Sequence, residues 1–266
     1  MAVASRLLLV STALSLSLLG ARAWADPLPP DAAEAPPGAS PEARAAVDQG
    51  AFLGLGVPAR NDAQRAFAYF QGGYDGAARS ATVQGVAQLR FAGPVSLRAG
   101  FGYHGGAGDA RPTVALAVDL LRQPAHGLNL AVYAGYEAFG FNTVAALSAR
   151  VALSRQAGAA TFIANLGYGL GLAEGEHYGE LRLGALYRVH PRLQLGLDAR
   201  ARLDLERDAD EPENEPDVDL IAGPVANLSI DRFVIGATAG VSTVKYRLTP
   251  EVYTGALALV TVGSVF

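Results

Sequence analysis

Cysteine is absent from all 266 residues. That excludes a disulfide framework, a thiolate metal site and an anchor attached through cysteine. Lysine is almost absent: Lys245 stands alone, so nearly all positive charge is arginine. Long apolar runs are missing as well. The longest, residues 7–20, falls short of the ~20 residues a helix needs to cross a bilayer. No transmembrane helix is therefore expected. A catalytic constellation is also lacking. The four histidines are His104, His126, His177 and His190, and the strand pattern sends two to each end of the molecule.

The amino terminus does carry information. Arg6 gives a basic start, residues 7–20 form a short apolar core, and Ala23-Trp24-Ala25 reads as a small-residue cleavage site. The pattern is that of a secretory signal peptide over 1–25. Without it, Arg6 and Arg22 are lost, leaving 19 basic against 25 acidic residues from the original 21 and 25, a net of −6. Mild acidity speaks against nucleic acid as a partner. Residues 26–48 are rich in Pro, Ala and acid, a linker composition read as a flexible periplasmic tail; a plug folded back into a lumen stays open as an alternative.

From residue 49 onward the signal is strict alternation. In 191–206, Leu193, Leu195, Leu197, Ala199, Ala201, Leu203 and Leu205 share one face. Arg192, Gln194, Gly196, Asp198, Arg200, Arg202, Asp204 and Glu206 share the other. Period two means a strand, because successive side chains point to opposite sides. A strand of this span measures roughly 40–50 Å, against a usual ~17–20 Å. The pattern predicts about twelve strands over 49–266: near 49–58, 79–92, 94–105, 111–122, 127–140, 143–155, 158–172, 177–190, 192–206, 217–230, 232–246 and 252–266. Residues 59–78 are left between a strand, a long first loop and an insert.

Connections alternate too. Those near 92–94, 122–127, 154–158, 189–192 and 229–232 are mostly tight, while those near 104–111, 177 and 206–217 are longer or more polar. Phe91, Phe162, Tyr187, Phe233 and Phe266 sit near the tight ends. Tyr103, Tyr136, Phe139, Tyr168, Tyr178, Tyr246 and Tyr253 sit near the loop ends. Two aromatic belts mark the two interfaces of a membrane barrel.

Signal peptide, amphipathic strands and terminal Phe266 together resemble the Gram-negative outer-membrane β-barrel class, porin-like, over nearly the whole chain. The resemblance implies an all-β, antiparallel transmembrane barrel in outer-membrane lipid, with short turns and both termini in the periplasm. It also implies that the last strand, GALALVTVGSVF, is read by the barrel-assembly machinery. Val260, Val262 and Phe266 share a face there, while Ser264 occupies a place usually apolar. The rival is a secreted β-sandwich or lipocalin-like barrel, whose apolar residues would face inward.

In a membrane barrel the polar face lines the lumen. That set is Arg90, Arg98, Arg150, Arg182, Arg188, Arg200 and Arg202 with Asp119, Glu137, Glu180, Asp198 and Asp204, slightly positive. Glu180, Arg182, Asp198 and Arg200 are expected to pair across neighbouring strands. Small inward residues such as Ala115, Ala117, Gly167, Gly236 and Ser242 leave space, favouring a narrow pore or solute cavity with slight anion preference. A closed structural or adhesive barrel is the alternative. No cofactor is expected, and a monomer is.

Two further features are weaker. Residues 206–219 hold eight acids and one arginine, and Asp208, Asp210, Glu211, Glu213, Glu215 and Asp217 could offer oxygens to Ca²⁺. The EF-hand spacing is missing, so a solvated loop is the plainer reading. At the loop rim, His104 and His177 with Asp109, Glu137 and Glu176 could support hydrolysis, yet no serine stands beside them. The G-x-G-x-x-G at 100–105 precedes no helix, and Ser242 and Lys245 of an S-x-x-K match fall on opposite strand faces.

Overall fold

The computed structural model describes residues 66–104, 110–137, 146–171, 177–205, 216–246 and 250–265. They form twelve strands: β1 (Ala66–Asp75), β2 (Ser80–Ala92), β3 (Val95–His104), β4 (Ala110–Leu121), β5 (Asn129–Glu137), β6 (Ala146–Ala157), β7 (Ala160–Gly171), β8 (His177–His190), β9 (Leu193–Asp204), β10 (Pro216–Ile230), β11 (Phe233–Tyr246) and β12 (Val252–Val265). A single helical turn, α1 (Gln123–His126), joins β4 to β5. Every strand is antiparallel to the next, and β1 pairs with β12, so the sheet closes on itself. Closure leaves no sheet edge, and hence no row of unpaired backbone N–H and C=O groups.

One boundary differs from the sequence reading. The first strand is Ala66–Asp75, inside the segment left undecided, while 49–58 lies outside the described residues. The reason is chemical. In β1 the inward face carries Phe67 and Tyr69 and the outward face Phe70 and Tyr74, so apolar and polar residues do not alternate there.

The turns explain the tight end. Two-residue connections at 93–94, 158–159, 191–192 and 231–232 join consecutive strands. Gly93, Gly158 and Asp231 open three of them with φ of 50°, 60° and 51°. Positive φ matches the twist of the flanking strands, and Gly or Asp adopts it at least cost. Both ends of the described barrel, Ala66 and Val265, lie at this same end, where Phe67 pairs with Val265.

The wall is inside out relative to a water-soluble protein. On β9, Leu195 and Leu197 are 43% and 66% exposed, whereas Gln194, Asp198 and Arg200 are 2–4% exposed. Leu116, Leu166, Leu220, Ile235 and Val260, from five other strands, also project outward. A continuous apolar exterior around a charged interior suits hydrocarbon rather than water. A lipocalin-like barrel has the opposite polarity. Leu166→Arg, in the middle of β7, is expected to destabilise the barrel in lipid by about 2–4 kcal/mol. Urea unfolding from bilayers reads this directly, and an unchanged midpoint would show that Leu166 does not meet lipid.

Candidate functional site

The interior is dominated by a belt of buried charge. Arg98, Arg150 and Arg182 are each 3% exposed, and Arg200, Glu180 and Asp198 are 4% exposed. Period-two geometry on β3, β6, β8 and β9 aims all of them inward. The belt is tied across the barrel. Arg98 Nη2 donates to the Tyr69 hydroxyl at 2.9 Å, and its guanidinium lies 5.9 Å from that ring. Arg150, Arg182 and Arg200 all act on the Glu180 carboxylate.

The expected pairing is corrected by the register. Arg182 lies directly opposite Arg200, Glu180 opposite Arg202, and Asp198 opposite Gly184. The two arginines Arg182 and Arg200 therefore face each other, and their close carboxylate partners come from other positions. Arg182 grips Glu180 two residues away on its own strand, through Nε at 2.7 Å and Nη2 at 3.0 Å. Arg200 pairs with Asp219 of β10. Neither oxygen of Asp198 finds a hydrogen-bond partner. Bidentate, charge-assisted contacts of this type are the ones that hold when buried.

The other inward candidates spread above and below the belt. Arg90 and Asp119 pair at 2.8 Å near the tight-turn end. Arg188 lies opposite Gln194 on the inner wall of the same end. Towards the loops, the Arg202 guanidinium lies 4.1 Å from the centre of the Tyr178 ring. Asp204 stands opposite Tyr178. Of Glu137 only the backbone position, at the end of β5, is described.

Sequence reasoning missed Asp75, Asp219 and Tyr69. Asp75 accepts from the Ala77 and Ala78 amides at 2.9 and 3.1 Å and from Ser242 Oγ at 2.5 Å. Asp219 was hidden in the acidic run, although Val218-Asp219-Leu220 already alternates. A polar ladder continues the belt: Gln84 donates to Gln71 at 2.5 Å, and Gln71 to Thr261 at 3.0 Å.

The small inward residues do not leave the space expected of them. Ala115, Ala117 and Ser242 are at most 2% exposed, and the Tyr133 ring packs with Ala117, Ala131 and Ala152. A lumen holding a continuous water column leaves its lining exposed. At mid-barrel, protein atoms surround the arginines instead.

The calcium candidates do not converge within the described residues. Asp208, Asp210, Glu211, Glu213 and Glu215 lie outside them, and Asp217 pairs with Lys245 at 3.5 Å. No group of three or more His, Cys, Asp or Glu side chains is placed to hold a metal among the described residues. At the rim, Tyr168 and His177 share a hydrogen bond. Asp109 and Glu176 lie outside the described residues, as does the side chain of His104.

No known protein family matches the sequence, and no curated protein does. Solved structures do. The outer-membrane channel DcaP of Acinetobacter baumannii is 10% identical, with a TM-score of 0.44 over 71% of this chain, which spans 63% of that one. A bacterial polysaccharide outer-membrane secretin is 10% identical, with a TM-score of 0.47 over 77% of this chain and 100% of that one. The NanC porin is 9% identical, with a TM-score of 0.50 over 75% of this chain and 98% of that one. The last likeness carries the fold alone: this chain is a closed twelve-stranded antiparallel β-barrel, as that porin is a barrel.

Proposed function

We propose that the protein sits in a bacterial outer membrane and passes small polar solutes through a constriction made of ion-paired side chains. The supporting observation is the chemistry of the belt. Arg98, Arg150, Arg182 and Arg200 are buried with Glu180, Asp198 and Asp219. An inert filling is often as stable or more stable when apolar, because each buried ion gives up on the order of several kcal/mol of hydration. Charge retained in such a place suits solutes that exchange water for fixed partners as they pass. With Asp75 the buried belt balances at four arginines and four carboxylates. Counting the whole inward wall among the described residues, Arg90, Arg98, Arg150, Arg182, Arg188, Arg200 and Arg202 against Asp75, Asp119, Glu180, Asp198, Asp204 and Asp219 favour at most a slight anion preference. The tight-turn end and both chain termini face the periplasm in this reading, and the longer loops face outside.

A second reading, a sealed structural barrel, is favoured by one observation: the belt residues are at most 4% exposed. Conductance separates the two. Refolded, heat-modifiable protein in a planar bilayer is expected to give small discrete steps. Silence would support the sealed barrel.

Removing a belt pair should widen the constriction. Glu180→Ala combined with Arg182→Ala deletes both partners of one pair, so the net charge of the belt is unchanged. Steps several-fold larger than those of the unaltered protein are expected, and unchanged steps would place the resistance elsewhere. Arg98→Gln with Arg150→Gln spares both the Glu180–Arg182 and the Arg200–Asp219 pair. The reversal potential in a salt gradient is expected to shift toward cations, and an unmoved value would remove these arginines from the solute path.

A further inference from the structure

The outer surface carries a second feature at the tight-turn end. Arg155 lies two residues before the end of β6 on the outward side, while Arg192 and Arg232 occupy the β8–β9 and β10–β11 turns, all exposed. His126 and His190 are exposed at the same end, and Arg122 is half-buried beside α1. Asp231 is the one exposed carboxylate there among the described residues. The inward Asp119 is already paired with Arg90.

Aromatic rings accompany these arginines. Phe162, Tyr187 and Phe233 project outward and are 44–58% exposed. Arg155 is directly opposite Phe162 in the ladder, and the Arg232 guanidinium lies 5.3 Å from the centre of the Phe233 ring. Aromatic rings at the border of an apolar wall mark the level where hydrocarbon gives way to headgroups. Guanidinium groups at and just beyond that level reach phosphate, which they bind in a bidentate fork. The opposite end has the reverse charge: residues 206–215 alone carry six acids and one arginine.

We infer that Arg155, Arg192 and Arg232 form a collar that binds the headgroups of anionic phospholipids in the leaflet at the tight-turn end. The collar is continuous with the apolar wall, so the same lipid that packs its chains on Leu166 and Leu197 presents its phosphate to the arginines. The inference rests on the membrane reading above and adds a lipid class and a leaflet to it. A competing occupant is the chain's own segment 26–48, with five acids and one arginine. Its charge suits the collar, but it lacks the apolar continuity that lipid has.

The test uses spin-labelled lipids with the refolded chain in phosphatidylcholine vesicles. Labelled phosphatidylglycerol is expected to associate about fivefold more strongly than labelled phosphatidylcholine, the scale of one arginine near a headgroup. The preference should fall as salt rises. It should approach parity in the triple variant Arg155→Gln, Arg192→Gln, Arg232→Gln, and persist in Arg79→Gln at the other end. If the triple variant does not fold, the single turn variants Arg192→Gln and Arg232→Gln should each weaken it. Equal association of the two lipids, or a preference that these substitutions leave intact, overturns the inference. A preference that emerges only after deletion of 26–48 assigns the collar to that segment and overturns it as well. Failure of the unaltered chain to insert into any vesicle would sink the membrane reading itself, whereas an inserted, heat-modifiable barrel without lipid preference would sink the collar alone.

Discussion

The pairing of β1 with β12 is the contact on which everything else depends. In hydrocarbon no water is present to satisfy a free backbone N–H or C=O, and each one left unpaired costs several kcal/mol, to order of magnitude. A sheet can cross a membrane only if its last strand finds its first. Once the ring closes, period-two geometry divides every strand into a lipid face and a lumen face. The apolar exterior and the charged interior are two results of one closure.

Closure also fixes which charges meet. The β8–β9 register sets Arg182 against Arg200 and Asp198 against Gly184, so neither Arg182 nor Asp198 finds its counter-charge straight across that ladder. Ion pairing runs along β8 instead, from Arg182 to Glu180, and sideways from Arg200 to Asp219 on β10. Glycines help the sheet bend around this filling. A methyl added at Gly223 or Gly240 would meet the backbone of the strand beside it, so the two strands approach more closely there than side chains permit. The interior is therefore dense, and the solute passage proposed above requires movement within the belt rather than a standing hole.

Much of this was legible in the sequence because lipid imposes a sharp pattern. β8 is read at the boundaries it has, 177–190, since Leu181, Leu183, Ala185 and Tyr187 share one face against Glu180, Arg182, Gly184 and Arg188, with Leu186 the one apolar exception. β1 was not, because aromatics on both of its faces erase the contrast on which a period-two reading depends. Asp219 falls inside the expected strand 217–230 but counts with the acidic run 206–219, so its inward pairing with Arg200 is missed. Pair partners and the filling of the lumen depend on register and side-chain reach, and a single sequence carries neither. The small residues Ala115 and Ala117 illustrate the second point: sequence shows their size, but not the Tyr133 ring beside Ala117.

The central claim is that this chain faces lipid with its apolar side and encloses its charge. The absence of native cysteine allows a direct test. Single cysteines placed along β7 at 163–168 can each carry a nitroxide label, and collision rates with oxygen and with a polar nickel chelate can be measured in bilayers. Labels at Ala164, Leu166 and Tyr168 should collide with oxygen, those at Ile163 and Asn165 with neither reagent, giving a period of two. The opposite phase, or no periodicity at all, would contradict the account.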